Sequence, residues 1–286
     1  MKRIGIIGGS GLYDLEGIKK IDEVNITTPF GMPSDFYTIS QLNDIEVVFL
    51  PRHGRSHNIN PTQINYRANI YGMKLLGVDK ILSISACGSL KEEIKPLDFV
   101  IPTQFVDRTN QARKYTFFED GIVAHVSFAY PICTALAKKL HESAQQCKVN
   151  VHYGGTYINM EGPQFSTLAE SNLYRSWGMD VIGMTNIAEA RLAREAEIAY
   201  VTLAAVTDYD CWHPSHESVT VEEIISNLTK NVANSKAVIR EFIIKAAEVP
   251  NSAEDALKFA ILTSKEHIPF SLKEKLSLLI NKYIGQ

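Results

Sequence analysis

The sequence predicts an α/β protein, with a three-layer α/β/α single domain around a mixed, mostly parallel twisted sheet. Three apolar runs, at 2–7, 78–86 and 198–206, have the length and β-branched composition of buried strands. Segments with helical spacing separate them, as expected where helices join parallel strands. No repeat or linker rich in Gly, Ser or Pro divides the chain. We therefore expect one domain over 1–286, with a helical C-terminal segment at about 251–286.

Strands dominate the first half of the chain. The elements predicted there are a strand at 2–7, an antiparallel meander of strands at 24–30, 34–40 and 45–50, a helix at 61–77, strands at 78–86 and 97–106, and a mobile surface loop at 107–121. Turn residues at 29–33 and 42–44 separate the strands of the meander. Gly77 is the expected C-terminal stop of the helix.

Helices and strands alternate in the second half. The elements predicted there are helices at 130–147, 167–177, 187–197 and 220–247, strands at 151–160, 180–184 and 198–206, and two C-terminal helices between 257 and 283. Thr167 with Glu170, and Thr220 with Glu223, have the spacing of the capping box that begins a helix. Buried strands that alternate with helices are typical of a mostly parallel sheet.

Composition narrows the class of protein. With 45% hydrophobic and 21% charged residues, the 286-residue chain is typical of a globular protein, and its net charge of −3 gives no general attraction to nucleic acid or membrane. No apolar run approaches the length of a membrane span. The four cysteines have neither CxxC nor zinc-like spacing, which favours a cytoplasmic protein with reduced thiols and no metal.

Groups that can bind an anion follow several predicted strands. The loop 8–11 (GGSG) brings backbone amides and the Ser10 hydroxyl together, although it lacks the GxGxxG spacing and the P-loop lysine, so a plain turn is about as well supported. Arg52 and His53 follow the meander, and both can donate to phosphate. Ser85 begins a small-residue loop at 85–89, and Thr185 stands before a helix. Together these residues predict a phosphate site.

Two carboxyl groups follow the last predicted strand. Asp208 and Asp210 lie where open α/β sheets hold ligands, so one could assist a leaving group while the other orients it. For an isolated DxD pattern, capping of a turn is the simpler interpretation. Phe165, at the end of another strand, could stack on a purine. A purine site beside a phosphate site suggests cleavage of an N-glycosidic bond by phosphate.

Nine motifs, in order over nearly the whole chain, resemble the trimeric purine nucleoside phosphorylase family, and in particular its members that act on 5′-methylthioadenosine. They are GIIGGSGL, TPFGMPSD, RHGRSH, INYRANI, SACGSLKEEI, NMEGPQFST, AESNLYRSWG, GMTNIAEA and TDYDCW. The resemblance implies a nucleoside phosphorylase-like fold. It also implies phosphorolysis of 5′-methylthioadenosine to adenine and 5-methylthioribose 1-phosphate, a reaction of purine and methionine salvage. Phosphate is then a co-substrate, and no cofactor is needed.

The resemblance also implies residue roles. Phosphate would be bound by Ser10, Arg52, His53, Ser85, Ala86 and Thr185. Met184 would lie under the ribose, Phe165 and Ser166 in the purine site, Asp208 and Asp210 at the purine N7 and 6-amino edge, and Val221, Ile224 and Ile225 around the 5′-methylthio group. Ser166 and Val221 would set specificity. His125 would reach the site of a neighbouring subunit in a homotrimer or a dimer of trimers.

Other activities remain open from the sequence alone. The nearest alternative is a related phosphorylase acting on adenosine, inosine, guanosine or methylthioinosine. The ionised Asp210 expected beside the 6-position of the purine would accept a hydrogen bond from an amino group. This argues against a 6-oxo purine as the substrate. A more distant alternative is a histidine-type phosphatase that uses the Arg52-His53-Gly54 run. Such enzymes carry that run after the first strand, whereas here a whole meander precedes it. A non-catalytic nucleotide-binding module would leave the acid pair without a role.

Overall fold

A computed structural model of the chain describes residues 2–12, 15–110, 112–214 and 221–285. Within these ranges the side chains of Ser10 and Val221 are outside the description. No described helix is both long enough and apolar enough to cross a membrane.

Eleven described strands form one sheet. They are β1 (Lys2–Gly8), β2 (Lys19–Val24), β3 (Tyr37–Leu42), β4 (Ile45–Pro51), β5 (Lys80–Ser89), β6 (Phe99–Ile101), β7 (Gln104–Arg108), β8 (Val151–Tyr153), β9 (Thr156–Met160), β10 (Val181–Gly183) and β11 (Ala199–Asp208). Among the described strands, six pairings are parallel and four are antiparallel, which confirms the mixed, mostly parallel sheet.

Helices cover both faces of this sheet. They are α1 (Tyr66–Leu75), α2 (Thr134–Gln146), α3 (Leu168–Ser176), α4 (Asn186–Glu195), α5 (Val221–Ala246), α6 (Phe270–Lys275) and α7 (Ser277–Ile284). Helix α1 packs on α4 and α2 packs on α5, while both α4 and α5 contact β11. Every residue of β11 before Asp208 is buried, as expected for a strand covered on both faces. The three-layer fold class is therefore confirmed.

Two central strands are longer than predicted. The strand predicted at 78–86 continues to Ser89, so the loop expected at 85–89 is part of β5. The last strand continues to Asp208, which is its final residue rather than a residue of the following turn. Both extensions occur because Gly88 pairs with Ile182 on one side and with Asp208 on the other. Backbone pairing across the sheet outweighs the turn preference of small residues.

Two predicted strands are each divided in the structure. The strand predicted at 97–106 is split at Pro102, which has no N–H for the ladder, into β6 and β7. The strand predicted at 151–160 is split into β8 and β9 at Gly154 and Gly155, whose φ values of 105° and 89° are in the left-handed region. At the first break the chain leaves its partner β8 and pairs with β9, and at the second break it leaves its partner β6 and pairs with β7.

Several boundaries also differ from the predictions. The first strand of the meander is at 19–24 rather than 24–30, and the helix predicted at 61–77 begins at Tyr66, because the Asn65 side chain accepts a hydrogen bond from the Ala68 amide and caps it. The Thr167 capping box is confirmed, whereas Thr220 lies outside the described residues. Residues 252–260 form turns rather than a helix.

Candidate active site

The site is built at one edge of the sheet by four parallel strands. Strand β1 pairs in parallel with β4 and β5, and β5 pairs in parallel with β11. Their carboxyl ends therefore lie on the same edge, where open α/β sheets bind ligands. The Arg52 amide donates to the Gly8 carbonyl over 3.0 Å, which joins the ends of β4 and β1. The predicted convergence of these strand ends is confirmed.

A gap opens in the sheet along β5. On one side of β5, pairing with β1 stops at Ser83 and pairing with β10 starts at Gly88. The backbone groups between them on that side have no ladder partner among the described strands, and Arg52 fills part of the gap by donating from Nη1 to the Ile84 carbonyl over 2.9 Å. Because alternate residues of a strand present their backbone groups to the same side, the amide of Ala86 also faces the gap. Ala86 is exposed there.

Arg52 is held in this gap by a buried carboxylate on α4. Arg52 is 3% exposed and Glu189 is 1% exposed. Arg52 Nε and Nη2 donate to the two carboxylate oxygens of Glu189 over 2.5 and 3.1 Å. Glu189 also accepts from the hydroxyls of Ser83 and Tyr200, over 2.7 and 2.9 Å. With Ile84 satisfied as well, at most one Nη1 hydrogen of Arg52 is left for a ligand.

This pairing keeps the guanidinium charged. Burial alone would lower the pKa of Arg52, but the charge of Glu189 and its hydrogen bonds raise that pKa overall. The pair places a fixed positive group beside a neutralising negative one. An incoming anion therefore meets an oriented donor rather than a free net charge.

Thr185 reaches the same gap from β10. Because β10 runs antiparallel to β5, with Ile182 opposite Gly88, the chain after Gly183 returns along β5 toward Ala86. Thr185 is the N-cap residue of α4, yet its hydroxyl makes no capping hydrogen bond and stands at the positive end of the helix, where it can bind a ligand. The buried Ser85 hydroxyl makes no hydrogen bond to another described group. The Ser10 side chain lies outside the described residues.

His53 is fixed by Ile59. Its Nδ1 lies 2.8 Å from the Ile59 carbonyl, while the Ile59 amide donates to the His53 carbonyl over 3.2 Å. Burial, the charge of Arg52 and the neighbouring His57 together lower the pKa of His53 to about 4. The His57 ring stacks on the His53 ring with 4.6 Å between centroids. His53 is therefore neutral at physiological pH.

The two aspartates form a compact turn at the end of β11. Asp208 accepts from the Thr207 hydroxyl over 2.7 Å and from the Asp210 amide over 2.8 Å. Asp210 is 5% exposed, and its Oδ2 is buried without a hydrogen-bond partner among the described residues. Burial raises the pKa of Asp210, against the opposing effect of nearby serine hydroxyls. The aspartate expected to be the ionised one thus holds a proton more readily than an exposed carboxyl.

Gly88 leaves the space that this turn needs. A Cβ at Gly88 would lie 2.9 Å from Asp208 Oδ1 and 3.3 Å from the Asp210 amide nitrogen. Gly88 lies four positions along the extended strand from Ile84, the residue that Arg52 contacts, a span of about 13 Å. This distance leaves room for an anion and a nucleoside between Arg52 and Asp208.

The predicted purine-binding loop lies against both the turn and Met184. The Cys211 thiol donates to the Ser166 carbonyl over 3.4 Å, which joins the loop to the aspartate turn. A Cβ at Gly162 would lie 2.4 Å from the Met184 sulfur, so the loop passes directly over Met184. Ser166 is buried and Phe165 is half exposed. The structure thus brings the predicted ribose and purine residues together.

Helix α5 covers the end of β11. Asn227 and Asn231 donate to the carbonyls of Thr207 and Val206 over 2.8 and 3.0 Å. Ile224, three residues before Asn227, lies on the same face of the helix. Ile225 is seven residues before Val232, which packs against the Gly11 position. Both isoleucines therefore lie near the edge that holds the site, and the side chain of Val221 is outside the description.

His125 is separated from these residues. Arg194, near the C-terminal end of α4, donates to the carbonyls of Ser127 and Tyr130 over 2.5 and 2.6 Å. Thr185 precedes the opposite end of this ten-residue helix, about 15 Å away. His125 is exposed, and its amide pairs with Ala260. It does not join the site of its own chain.

Arg113 is a site residue that sequence reasoning missed, since the surrounding segment reads as a mobile surface loop. Its side chain is fully buried and donates to the Glu161 carboxylate and carbonyl over 3.0 and 2.5 Å, and to the Met184 carbonyl. It therefore ties the purine loop to Met184. The polar residues next to Arg113 in the sequence do not indicate that its side chain is buried. Glu189 was also missed, because α4 carries other charged residues and nothing in its sequence distinguishes the buried Glu189 from them.

No group of three or more His, Cys, Asp or Glu side chains in the described part of the chain is arranged to hold a metal ion.

Comparison with known families gives a match over most of the chain. Residues 3–244 match the model of the phosphorylase superfamily. The S-methyl-5′-thioadenosine phosphorylase of Thermosynechococcus vestitus is 58% identical over 287 aligned residues, which cover 99% of each chain. The enzyme of the same name from Koribacter versatilis is 56% identical, with 99% of this chain and 97% of the relative covered.

Solved structures give the same result. A methylthioadenosine phosphorylase from an antarctic soil metagenomic library superposes with a TM-score of 0.92 at 48% identity, covering 97% of this chain and 98% of the other. A methylthioadenosine phosphorylase from Schistosoma mansoni in complex with adenine superposes with a TM-score of 0.84 at 32% identity, with 99% of both chains covered.

Proposed function

The chain belongs to the phosphorylase superfamily, and on that premise we propose that it cleaves 5′-methylthioadenosine with inorganic phosphate, giving adenine and 5-methylthioribose 1-phosphate. It is an S-methyl-5′-thioadenosine phosphorylase, a pentosyltransferase. One observation carries this function in the geometry. The gap in the sheet at Arg52 and the aspartate turn at Asp208 lie on one sheet edge, about 13 Å apart along β5.

Phosphate binding belongs to the gap beside β5. The Nη1 group of Arg52, the Ala86 amide and the hydroxyls of Ser85 and Thr185 converge there, and the N-terminus of α4 adds its dipole. A phosphate held by them can attack the anomeric carbon while the bond to the purine breaks, through an oxocarbenium-like transition state. Holding it in line is the main contribution of these groups.

Departure of the purine belongs to the aspartate turn. A purine anion is a poor leaving group, so a hydrogen bond or a proton at N7 lowers the barrier. The Asp210 amide donates to Asp208, which fixes the two residues in one turn, and burial raises the pKa of Asp210, so the turn can hold a proton beside the purine. The buried Oδ2 of Asp210, which has no hydrogen-bond partner among the described residues, is a suitable acceptor or donor for the purine edge. The assignment of Asp208 to N7 and of Asp210 to the 6-amino group remains a prediction from the resemblance.

Neither a metal nor a cofactor has a part in this mechanism, in which phosphate is a co-substrate.

We also propose a homotrimer. The segment that carries His125 pairs with residues 260–262, and the two segments and their flanks expose four apolar side chains, Val123, Tyr130, Phe259 and Leu262. A second exposed apolar surface follows α3, with Phe165, Leu168, Leu173 and Trp177. Two different apolar surfaces on one chain suit a head-to-tail contact, which closes into a ring. In that ring the His125 surface of one chain covers the Phe165 surface of the next. A cytoplasmic location is proposed from the four unpaired cysteines.

A panel of nucleosides tests the substrate. Release of free base is measured with phosphate from methylthioadenosine, adenosine, inosine and methylthioinosine. We expect the highest kcat/KM for methylthioadenosine. Equal or higher values for inosine or methylthioinosine would instead assign the enzyme to 6-oxo purines. A phosphohistidine trapped at His53 with labelled phosphate would indicate a phosphatase.

A further inference from the structure

We propose that Trp212 and Arg175 are positioning residues for the aspartate turn, and that together they hold it against the end of β5 while the purine departs. The resemblance gives neither residue a role, although each lies within one of its motifs. The proposal rests on the proposed function, because it concerns the turn that carries Asp208 and Asp210. It adds two residues that act through the turn rather than on the substrate.

The turn has a backbone conformation that needs support. Asp210 has a φ of 52°, in the left-handed region that residues other than glycine rarely adopt. Such a conformation costs free energy and persists where neighbouring contacts fix it. One such contact is the hydrogen bond of 2.8 Å from the Asp210 amide to the Asp208 carboxylate. Because that bond lies within the turn, it does not attach the turn to the sheet.

Trp212 attaches the far end of the turn to β5. At the near end, Asp208 is paired with Gly88. Two residues after Asp210, the indole Nε1 of Trp212 donates to the Ser89 carbonyl over 2.8 Å. Since Gly88 and Ser89 are consecutive, both ends of the turn are attached to the same short part of β5. The carboxyl groups of the turn are thereby fixed relative to the strand that borders the gap.

Arg175 holds the ring of Trp212 in place. The guanidinium carbon of Arg175 lies 3.5 Å from the centroid of the Trp212 ring, at the distance of direct stacking. Arg175 Nε also donates to the Leu90 carbonyl over 3.2 Å, one residue beyond Ser89. The Trp212 ring packs against an apolar cluster of Leu90, Ile158, Tyr174 and Ile182. Trp212 is thus fixed by its N–H, by stacking and by apolar packing.

The pair also connects the turn to the purine loop. Arg175 lies in the last turn of α3, the helix that follows this loop. The loop itself contacts the aspartate turn, since the Cys211 thiol donates to the Ser166 carbonyl over 3.4 Å. The chain therefore meets the turn both before α3 and at its end. We expect Arg175 and Trp212 to maintain the distance between the purine loop and the two carboxyl groups.

Replacement of Trp212 by phenylalanine tests the attachment to β5. Trp212→Phe keeps an aromatic ring but removes the N–H that binds Ser89. We expect kcat on methylthioadenosine to fall about tenfold while the KM for phosphate changes little, because the acid groups shift and the gap at Arg52 does not. Steady-state kinetics with each substrate varied gives both values. Wild-type kcat in Trp212→Phe would overturn the proposal, as would a phosphate KM that rises as much as kcat falls.

A matched control separates positioning from stability. The Tyr37 hydroxyl donates to the Asn69 carbonyl over 2.9 Å, in a buried contact between β3 and α1. Tyr37→Phe and Trp212→Phe thus each remove an aromatic donor from the main chain, and the urea midpoint should fall in both. Only Trp212→Phe should lose kcat. Equal losses of kcat in the two variants would show a general effect of stability and would contradict the positioning role.

A double variant tests whether the two residues act as one unit. Arg175→Leu removes the stacking and the bond to Leu90, so we expect kcat to fall here too. Combined with Trp212→Phe, the loss should be smaller than the product of the two single losses, because both residues hold the same turn. Arg240→Leu, at an exposed site on α5, is the control and should keep kcat. Single losses that multiply, or an equal loss in Arg240→Leu, would contradict the pairing.

The same assays separate the two proposals. Base release by the wild type that does not depend on phosphate would remove the proposed function. Phosphate-dependent release with wild-type kcat in Trp212→Phe would remove only the positioning role.

Discussion

The orientation of the Arg52 guanidinium is set by a second buried residue, Glu189. Sequence reasoning identified Arg52 as an anion ligand, but four of its five N–H groups are directed at protein acceptors, chiefly Glu189. A guanidinium held in this way has little freedom, so its remaining Nη1 hydrogen is aimed by the network. We therefore expect Glu189 to be a positioning residue for the proposed phosphate site.

Replacement of Glu189 tests this positioning. In Glu189→Gln, Arg52 loses its counter-charge, and we expect the KM for phosphate to rise about tenfold or more while the KM for the nucleoside changes little. Steady-state kinetics with each substrate varied gives both values. Glu195→Gln is the matched control, because Glu195 is buried on the same helix but bonds to Thr116 and Phe117, away from the site. Equal effects of the two variants on the phosphate KM would contradict the role of Glu189.

Replacement of Asp208 tests the purine side. Asp208→Asn keeps the shape of the turn but removes the acid, and we expect kcat on methylthioadenosine to fall by ~10²–10⁴-fold with a small change in phosphate KM. Asp44→Asn, at an exposed turn, should be silent. Near-normal turnover in Asp208→Asn would show that purine departure does not need this carboxyl.

At the scale of single elements, features that neighbouring residues determine, such as a helix cap, could be predicted from the sequence. The Thr167 capping box was read from spacing alone, and it begins α3 as expected, with the Glu170 amide donating to the Thr167 hydroxyl over 3.2 Å. Gly154-Gly155 carried a turn signal that the prediction passed over, which is why β8 and β9 were predicted as one strand. The extension of β5 to Ser89 could not be foreseen, because it depends on partners nearly a hundred residues away or more.

The capping box gives a prediction about α3. Thr167→Ala removes the side-chain acceptor at the helix start, and we expect the free energy of unfolding to fall by about 0.5–2 kcal/mol. Urea unfolding followed by circular dichroism measures the loss. Thr229→Ala is the control, since Thr229 lies inside α5 and its hydroxyl donates to the Ile225 carbonyl within the same helix rather than to a helix start. A larger loss in Thr229→Ala than in Thr167→Ala would contradict the capping role.

At the scale of the whole molecule, the site depends on topology. The residues in it come from the ends of β1, β4, β5 and β11, from the segments after β9 and β10 and from the start of α4, so the site is not local in sequence. The ends of the strands could be predicted from the apolar runs of the sequence. Their position at one edge of the sheet could be predicted from the parallel arrangement. The gap beside β5 could not be predicted, since it depends on where β10 joins the sheet, and the burial of Glu189 and Arg113 could not, since it depends on partners distant in the sequence.

Folding stability should depend on pH through Glu195. Burial raises the pKa of Glu195 from 4.5 to about 7, against the hydrogen bonds that it accepts from Phe117 and Thr116. The native state therefore holds a proton that the unfolded chain releases, and the free energy of unfolding falls as pH rises from about 4.5 to about 7, by about 3 kcal/mol.

Urea unfolding at pH 5 and pH 8 measures this dependence. Glu195→Gln, which cannot ionise, should lose less stability over that interval than the wild type. Glu142→Gln, at an exposed site on α2, should behave like the wild type. If the wild type and Glu195→Gln lost equal stability, Glu195 would not be the group that titrates.

The most direct measurement of the central claim follows methylthioadenosine with and without inorganic phosphate, with adenine quantified by chromatography and the sugar product by phosphorus NMR. We expect adenine and 5-methylthioribose 1-phosphate in equal amounts, at a rate that rises with phosphate concentration to saturation and is negligible without phosphate. Adenine released at the same rate in the absence of phosphate, with no sugar phosphate formed, would contradict the account.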